Sequence, residues 1–336
     1  APALLAGQTP AQVATLLSFF ADRLQDEPCV REVLRGARRA VDSVEPGAGR
    51  EVAAAVAKLC DGVFTHVHVQ SLSLSDRNNA YQLVHAAVVR FALAPAALGD
   101  NAVLGFVGIM DGERDPRNLK LCFSVIPPLA AAHLSSTSDA EALFNVFSCY
   151  FPITFTPPPN DTVGITSDML REGLLECLSS HMLVASQALD LAQGKLASAD
   201  PGQTRLDAMD VIAALASRFT VTRSMGTRGV RQVWSLLRLQ IMDSSEAEVQ
   251  ARARSCLRHL LRLAAQEEEA ADDEAADDEA AGGAQLAGGF DDAPPVAFGV
   301  AAQRLLAGTH ASECTDRHKI TGLTLSILIG SIHLVR

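Results

Sequence analysis

TPAQVATLLSFFADRLQDEPCVREVLRGARRAV, residues 9–41, reads as two short amphipathic helices joined by an acidic, proline-bearing turn. Thr9 with Gln12 three residues on makes a capping box, and Pro10 stands at the first helical position. Val13, Leu16, Phe20 and Leu24 then recur at helical spacing. The turn at Asp26-Glu27-Pro28 breaks that run. Val30, Val33, Ala37 and Val41 form a second stripe, and Pro46, Gly47 and Gly49 close the pair.

The same turn-plus-helix signal returns at Ser75-Asp76, Asp115-Pro116, Asn160-Asp161, Asp200-Pro201 and Ser245-Glu246. Counted from Pro28 through Asp76, Pro116, Asp161, Pro201 and Glu246, the intervals are 48, 40, 45, 40 and 45 residues. Two-helix HEAT and armadillo units have a period of roughly 40–47 residues. The spacing therefore predicts an all-α chain, a HEAT-repeat, ARM-like α-solenoid of about six helix pairs. Such a stack is a long surface for holding other proteins and rarely encloses a catalytic pocket. Each pair needs a neighbour to bury its second face, so one continuous core is expected.

Apolar stripes fill out the six pairs. The second uses Val52, Val56, Leu59 and Val63, then Tyr81, Val84, Val88 and Phe91. The third uses Val103, Phe106 and Met110, then Leu119, Phe123 and Ile126, with Asp115 as N-cap and Pro127-Pro128 as the stop. In the fourth, Ser138 and Glu141 read as a capping box before Leu143, Val146 and Tyr150; Leu170, Leu174 and Cys177 follow a proline-rich strap. The fifth and sixth run from Met182 to Ala213 and from Val230 to Leu260. Between the helices of the second pair, residues 67–72 alternate like a strand. A lone strand would have no partner, so an extended connector or helix end is preferred.

Composition agrees. Aliphatic residues abound, aromatics are 5% of the chain and there is one Trp. Packed helices use Ala and Leu, whereas sheets want Val, Thr and aromatics. Net charge is −11, but Glu267, Glu268, Glu269, Asp272, Asp273, Glu274, Asp277, Asp278 and Glu279 supply nine of those negatives in one block. With the remainder near neutral, no direct nucleic-acid partner is expected. The block and the Gly/Pro-rich sequence after it read as a disordered, solvated insert. This divides the chain into a repeat array over 1–266, a linker over 267–295, and an uncertain C-terminal helix and tail over 296–336. Seven Cys at 29, 60, 122, 149, 177, 256 and 314, with no CxxC pair, read as buried or free thiols in a reducing compartment. No signal or transit segment is recognised, and Gly322–Val335 is too short to span a bilayer, so no membrane partner is expected.

Chemistry has few footholds. His66 and His68 would share a strand face, but no third ligand is near in sequence, so no metal is assigned. Asp111 and Glu113 could act as an acid/base pair; turn and cap roles suit them better, with Arg114 or Arg117 bracing the carboxylates between repeats. Cys149 has no evident His base. No phosphate-loop, dinucleotide, nucleophile-elbow or zincin motif occurs. No catalytic residue and no cofactor are assigned.

Three segments together resemble one family: His66–Leu72 (HVHVQSL), Met110–Leu119 (MDGERDPRNL) and Ser148–Asp161 (SCYFPITFTPPPND). In order and spacing they are similar to the N-terminal region of the MMS-nineteen family, named for methyl methanesulfonate sensitivity and nucleotide excision repair. Weaker likeness runs from about Leu17 to Leu263. The resemblance implies a HEAT-repeat adaptor of the cytosolic iron–sulfur cluster targeting complex, working in cytoplasm and nucleus. Its partners would be the other targeting subunits and apo iron–sulfur clients such as DNA helicases and polymerases. It would act by raising effective concentration and not by chemistry. The family motifs offer a partner surface of His68, Gln70, Asp111, Glu113, Asp115, Pro116, Arg117, Asn118, Tyr150, Phe151, Phe155, Pro158, Asn160 and Asp161. The alternative is a generic HEAT scaffold of transport or phosphatase type, which leaves SCYFPITFTPPPND unexplained.

Overall fold

A computed structural model describes residues 8–45, 47–157, 164–198 and 200–280. Among these residues every regular element is helical. Twelve principal helices make six pairs: α1 (Pro10–Arg23) and α2 (Val30–Asp42), α3 (Arg50–His66) and α4 (Leu74–His85), α5 (Ala102–Met110) and α6 (Pro116–His133), α7 (Thr137–Ser148) and α8 (Ser167–Leu178), α9 (Met182–Ala197) and α10 (Gly202–Phe219), α11 (Val221–Asp243) and α12 (Ala247–Ala280). All six stripe pairs expected from the sequence are helices. The 67–72 connector is no strand: it holds a 3-10 turn over Val69–Ser71.

The chain forms two compact units, Ala1–Ala188 and Leu189–Arg336. One uninterrupted array was expected; in a stack where each pair touches only its neighbours, a division costs little wherever it falls. Within the first unit the packing is two-layered. α1, α3, α5 and α7 pack in succession, and so do α2, α4, α6 and α8. Small residues set the approach. A side chain at Gly105 of α5 would begin 2.5 Å from the Phe64 ring of α3, so only glycine fits there. Val13, Leu17, Ala21 and Leu24 are the buried face of α1, while Leu16 and Phe20 are half-buried. The inward face is thus rotated by one residue from the expected stripe, because the Phe20 ring covers Gly36 of α2.

Three local expectations are corrected. Pro127 and Pro128 do not end α6, which continues to His133. Proline removes the N–H that would reach the carbonyl four residues back. Here the Phe123 carbonyl accepts from the Cys177 thiol of α8 at 3.4 Å instead, and Leu129 and Ala130 beyond the prolines are fully buried. Tertiary packing outweighs the break. The cap of α7 is Ser136, not Ser138: its Oγ accepts from the Asp139 N–H at 3.0 Å. Ser136→Ala should cost about 1 kcal/mol in chemical unfolding, while Ser138→Ala should cost a few tenths at most. Finally, α12 carries the acidic run to Ala280 as helix, where a disordered insert was expected. Ala and Glu are strong helix formers, and a helix already nucleated by packing extends at low cost. Residues 281–336 lie outside the described residues, as does the apolar stretch 322–335. No described helix is long and apolar enough to cross a membrane.

A polar ladder links successive second helices. Arg35 of α2 binds Asp76 of α4 at 3.0 Å, and Asn78 of α4 donates to Asn118 of α6 at 3.0 Å. In the second unit, Arg205 of α10 binds Glu246 just before α12, and Arg252 of α12 binds Asp210 of α10 at 2.6 Å. The Cys256 thiol donates to the Met209 carbonyl at 3.6 Å, as Cys177 does to Phe123.

Candidate functional site

The loop between α5 and α6 is the centre of the first unit's polar network. Asp111-Gly112 turns the chain, with Gly112 at φ 80°, a conformation that favours glycine. Asp115 caps α6 by accepting from the Arg117 and Asn118 N–H groups at 3.0 and 3.4 Å, and Pro116 occupies the first helical position. Between turn and cap, Glu113 is driven inward and is fully buried.

Five donors converge on the Glu113 carboxylate. Arg77 of α4 binds it through Nε at 2.8 Å and a terminal nitrogen at 3.0 Å. The N–H groups of Arg114 and Asp115 donate at 2.9 Å each, and the Asn118 amide donates at 3.0 Å. Burial pushes the Glu113 carboxyl up, but these donors, Arg77 foremost, outweigh it and hold the group below its ordinary value. The hydrogen bond from Arg117 likewise holds Asp115 low against its partial burial. With both oxygens occupied and no solvent exposure, Glu113 is a structural anion and is ill placed for proton transfer.

The other two family segments close on this loop. Gln70 donates to the Ile109 carbonyl at 2.9 Å and to the Tyr81 hydroxyl at 3.0 Å; that hydroxyl donates to the same carbonyl at 3.0 Å. Together they satisfy the C-terminal end of α5. Arg77 also donates to the Leu72 carbonyl at 3.1 Å. From the third segment, the Tyr150 hydroxyl donates to the Glu113 carbonyl at 2.6 Å, and its ring meets Phe123 edge-on at 5.9 Å. Burial pushes both phenols up, so each is a neutral donor.

Gln70, Glu113, Asp115, Pro116, Arg117, Asn118 and Tyr150 are therefore brought together. Asp111 and His68 are exposed, and Phe151 and Phe155 are half-buried on the connector after α7. Pro158, Asn160 and Asp161 lie outside the described residues. A brace between repeats is supplied by an arginine other than the expected Arg114 or Arg117. Arg117 binds Asp115 of its own helix at 2.9 Å, and Arg77, which sequence reasoning passed over, bridges the pairs. Its signal was the turn period itself, since a charge 36 residues before Glu113 stands near the equivalent position one pair earlier.

His66 and His68 line an open cleft of about 430 Å³ with Glu27, Arg31, Glu32 and Ser71. Among the described residues no three His, Cys, Asp or Glu side chains form a metal-holding group. Burial raises the Cys149 thiol, with Asp111 adding to the effect, which is the opposite of what a nucleophilic thiolate requires.

Residues 5–243 match the family model MMS19_N, described as Dos2-interacting transcription regulator of RNA-Pol-II. The chain belongs to the MMS19 family. It is similar to the MMS19 nucleotide excision repair protein homologs of Xenopus tropicalis, at 32% identity over 259 residues, and of Homo sapiens, at 31% over 257 residues. These alignments cover 75% and 74% of this chain and 24% of each relative. The Dictyostelium discoideum homolog is 28% identical over 262 residues, covering 77% of this chain and 22% of the relative. The chain thus spans about a quarter of the length of the MMS19 relatives it matches. All three segments of the network fall inside the MMS19_N match.

The network has a pH signature. Glu113 and Asp115 titrate lower in the folded chain than their ordinary values of 4.5 and 3.8. Each therefore contributes stability that is fully present above those values and is lost as the pH falls through the depressed folded ones. Acid titration followed by circular dichroism should show a loss of stability below about pH 4, and Glu113→Gln should flatten it. An unchanged acid limb in that variant would remove Glu113 from the account.

Proposed function

We propose that this chain is the N-terminal repeat region of an adaptor in the cytosolic iron–sulfur cluster targeting complex. It would serve client enzymes of DNA repair, replication and transcription in cytoplasm and nucleus. One observation carries the reading. Three segments far apart in sequence, each resembling the MMS-nineteen family, meet in a single network that fixes successive helix pairs. A rigid ridge of helix ends and connectors suits a protein that presents a surface to other proteins. The same side chains are spent on one another, which favours holding over chemistry. Work in nucleotide excision repair, named for the relatives, fits an adaptor whose clients include repair helicases.

The adaptor would act by raising the local concentration of client near the cluster donor. The test is affinity capture with the tagged chain from cytosolic and nuclear extract, read by mass spectrometry. Enrichment of iron–sulfur DNA enzymes or of other targeting subunits is expected. Transport receptors or phosphatase subunits in their place would make the chain a generic scaffold. Purified protein that is brown and holds stoichiometric iron would end the adaptor-only reading.

A further inference from the structure

α5 (AVLGFVGIM) has no polar side chain among its nine residues. A helix that is apolar all round belongs inside a protein. This one packs between α3 and α7, yet Leu104 stays 43% exposed and Gly108, one turn on, is exposed as well. A single exposed leucine is ordinary. Here it lies beside a glycine that faces open space. A side chain at Gly108 would meet no described atom within 4 Å, whereas one at Gly105 would run into the Phe64 ring of α3. Packing of the described residues thus requires glycine at 105 and not at 108, where it weakens the helix relative to alanine. Bare backbone at that point suits close approach by another helix.

Acids bracket this strip. Helical spacing puts Asn101, Leu104, Gly108 and Asp111 on one face. Asp100 stands at its start and Asp111 at its end, roughly 16 Å apart at the helical rise. Asp61 is exposed on α3, one turn before Phe64. Among the described residues none of these three acids forms an ion pair. The cations of the neighbouring elements are occupied or stand apart. Lys58 is held by Asp22 of α1 at 2.6 Å, and Arg90 donates to the Val41 carbonyl at 3.0 Å. Arg50 begins α3, roughly 16 Å along the helix from Asp61. Arg114 lies beyond the Gly112 turn and makes no ion pair with Asp111. On α7 the charged residues are Asp139 and Glu141.

We propose that the Leu104–Gly108 strip of α5 is a docking groove for an amphipathic helix of a partner protein, apolar along one face and bearing Lys or Arg about 11 residues apart on it. Eleven residues are about three turns, so two such cations share the apolar face and reach Asp100 and Asp111 together. Between them a large apolar side chain of the partner fills the space over Gly108 and packs beside Leu104. An acid-flanked strip repels its own kind, which disfavours a second copy of this chain as the occupant. Exposed ion pairs are individually weak and screened by salt. The apolar contact therefore supplies the affinity, and the acids select the partner.

The probe is a labelled synthetic Leu/Ala amphipathic peptide of about 18 residues, long enough to hold a helix, with two Lys about 11 apart on its apolar face. A twin carries Glu at those two positions. Each is titrated against the full 336-residue chain by fluorescence anisotropy. In about 50 mM salt the Lys peptide should bind at least about tenfold more tightly than its twin, and about 500 mM salt should narrow the gap. Leu104→Asp and Gly108→Leu should each weaken the Lys peptide about tenfold. Gly108→Leu enters open space, so the free chain should keep its helical circular dichroism and its unfolding midpoint, which separates lost binding from lost folding. Asp100→Lys combined with Asp111→Lys should turn the preference toward the Glu twin. Lys-peptide binding that ignores Leu104→Asp and Gly108→Leu overturns the proposal, as does an unchanged preference in the double lysine variant. Failure of both peptides to bind also overturns it, whether residues 281–336 of the chain close the strip or nothing does. A chain that dimerises without peptide, and stays monomeric as Leu104→Asp, gives the strip to a second copy and overturns it too. The probe is no client, so these outcomes stand apart from the adaptor reading.

Discussion

Glu113→Ala is expected to destabilise the first unit by about 3 kcal/mol, the low end of what removing one partner of a buried ion pair costs. The loss is larger than one salt bridge because five donors lose their acceptor at once. Arg77, with a side chain 19% exposed, keeps its charge without a partner, and the Arg114 and Asp115 N–H groups are left without one. The effect should be local before it is global. Hydrogen exchange in peptides covering residues 70–82 and 108–119 should accelerate, while the second unit stays protected. In a double-mutant cycle with Arg77→Ala, the two losses should fall short of adding by about 2 kcal/mol. Additive losses would mean that the two side chains act independently, against the geometry.

Phe123→Ala should cost about 3–5 kcal/mol, the usual range for deleting a buried ring. Phe123 is 1% exposed, carries the edge of Tyr150, and lies against α8, where a side chain at Gly173 would begin 3.2 Å from its Cβ. The cavity would sit at the seam of α6 and α8, which repack poorly because Cys177 also hangs from the Phe123 carbonyl. Phe123→Leu, which retains most of the volume, should lose less than about 2 kcal/mol. Urea unfolding of the two variants checks this. Equal losses would show that the ring shape and not the volume matters. A loss below about 1 kcal/mol for alanine would show that the seam collapses onto the space.

Much of the architecture was legible because helices write their period into the sequence. Val52, Val56, Leu59 and Val63 are all buried on α3, and Leu170, Leu174 and Cys177 on α8, as their spacing requires. Turn chemistry was equally readable: Thr9 with Gln12, and Asp115 with Pro116, form the caps that their types predict. Errors arose where distant packing overrode a local rule. Pro127-Pro128 are a local stop, yet buried Leu129 and Ala130 carry α6 onward. The acidic run lacks apolar surface, yet its alanines and glutamates extend a helix already anchored by Leu257 and Leu260.

The site divided in the same way. Asp115, Pro116 and Arg117 interact within one turn of chain, so their roles followed from adjacent residues. Arg77 with Glu113, Gln70 with Ile109 and Tyr150 with Glu113 are separated by 36, 39 and 37 residues. No local pattern pairs them. Among the described residues, the sequence by itself determined the twelve principal helices and the period of their turns, because backbone hydrogen bonds and apolar spacing are local. Only the tertiary structure decided which charges meet and which cysteine thiol satisfies a carbonyl freed by proline. Those contacts exist because stacking places positions about one repeat apart side by side, and the register of that stacking is set by side-chain shape across the whole seam.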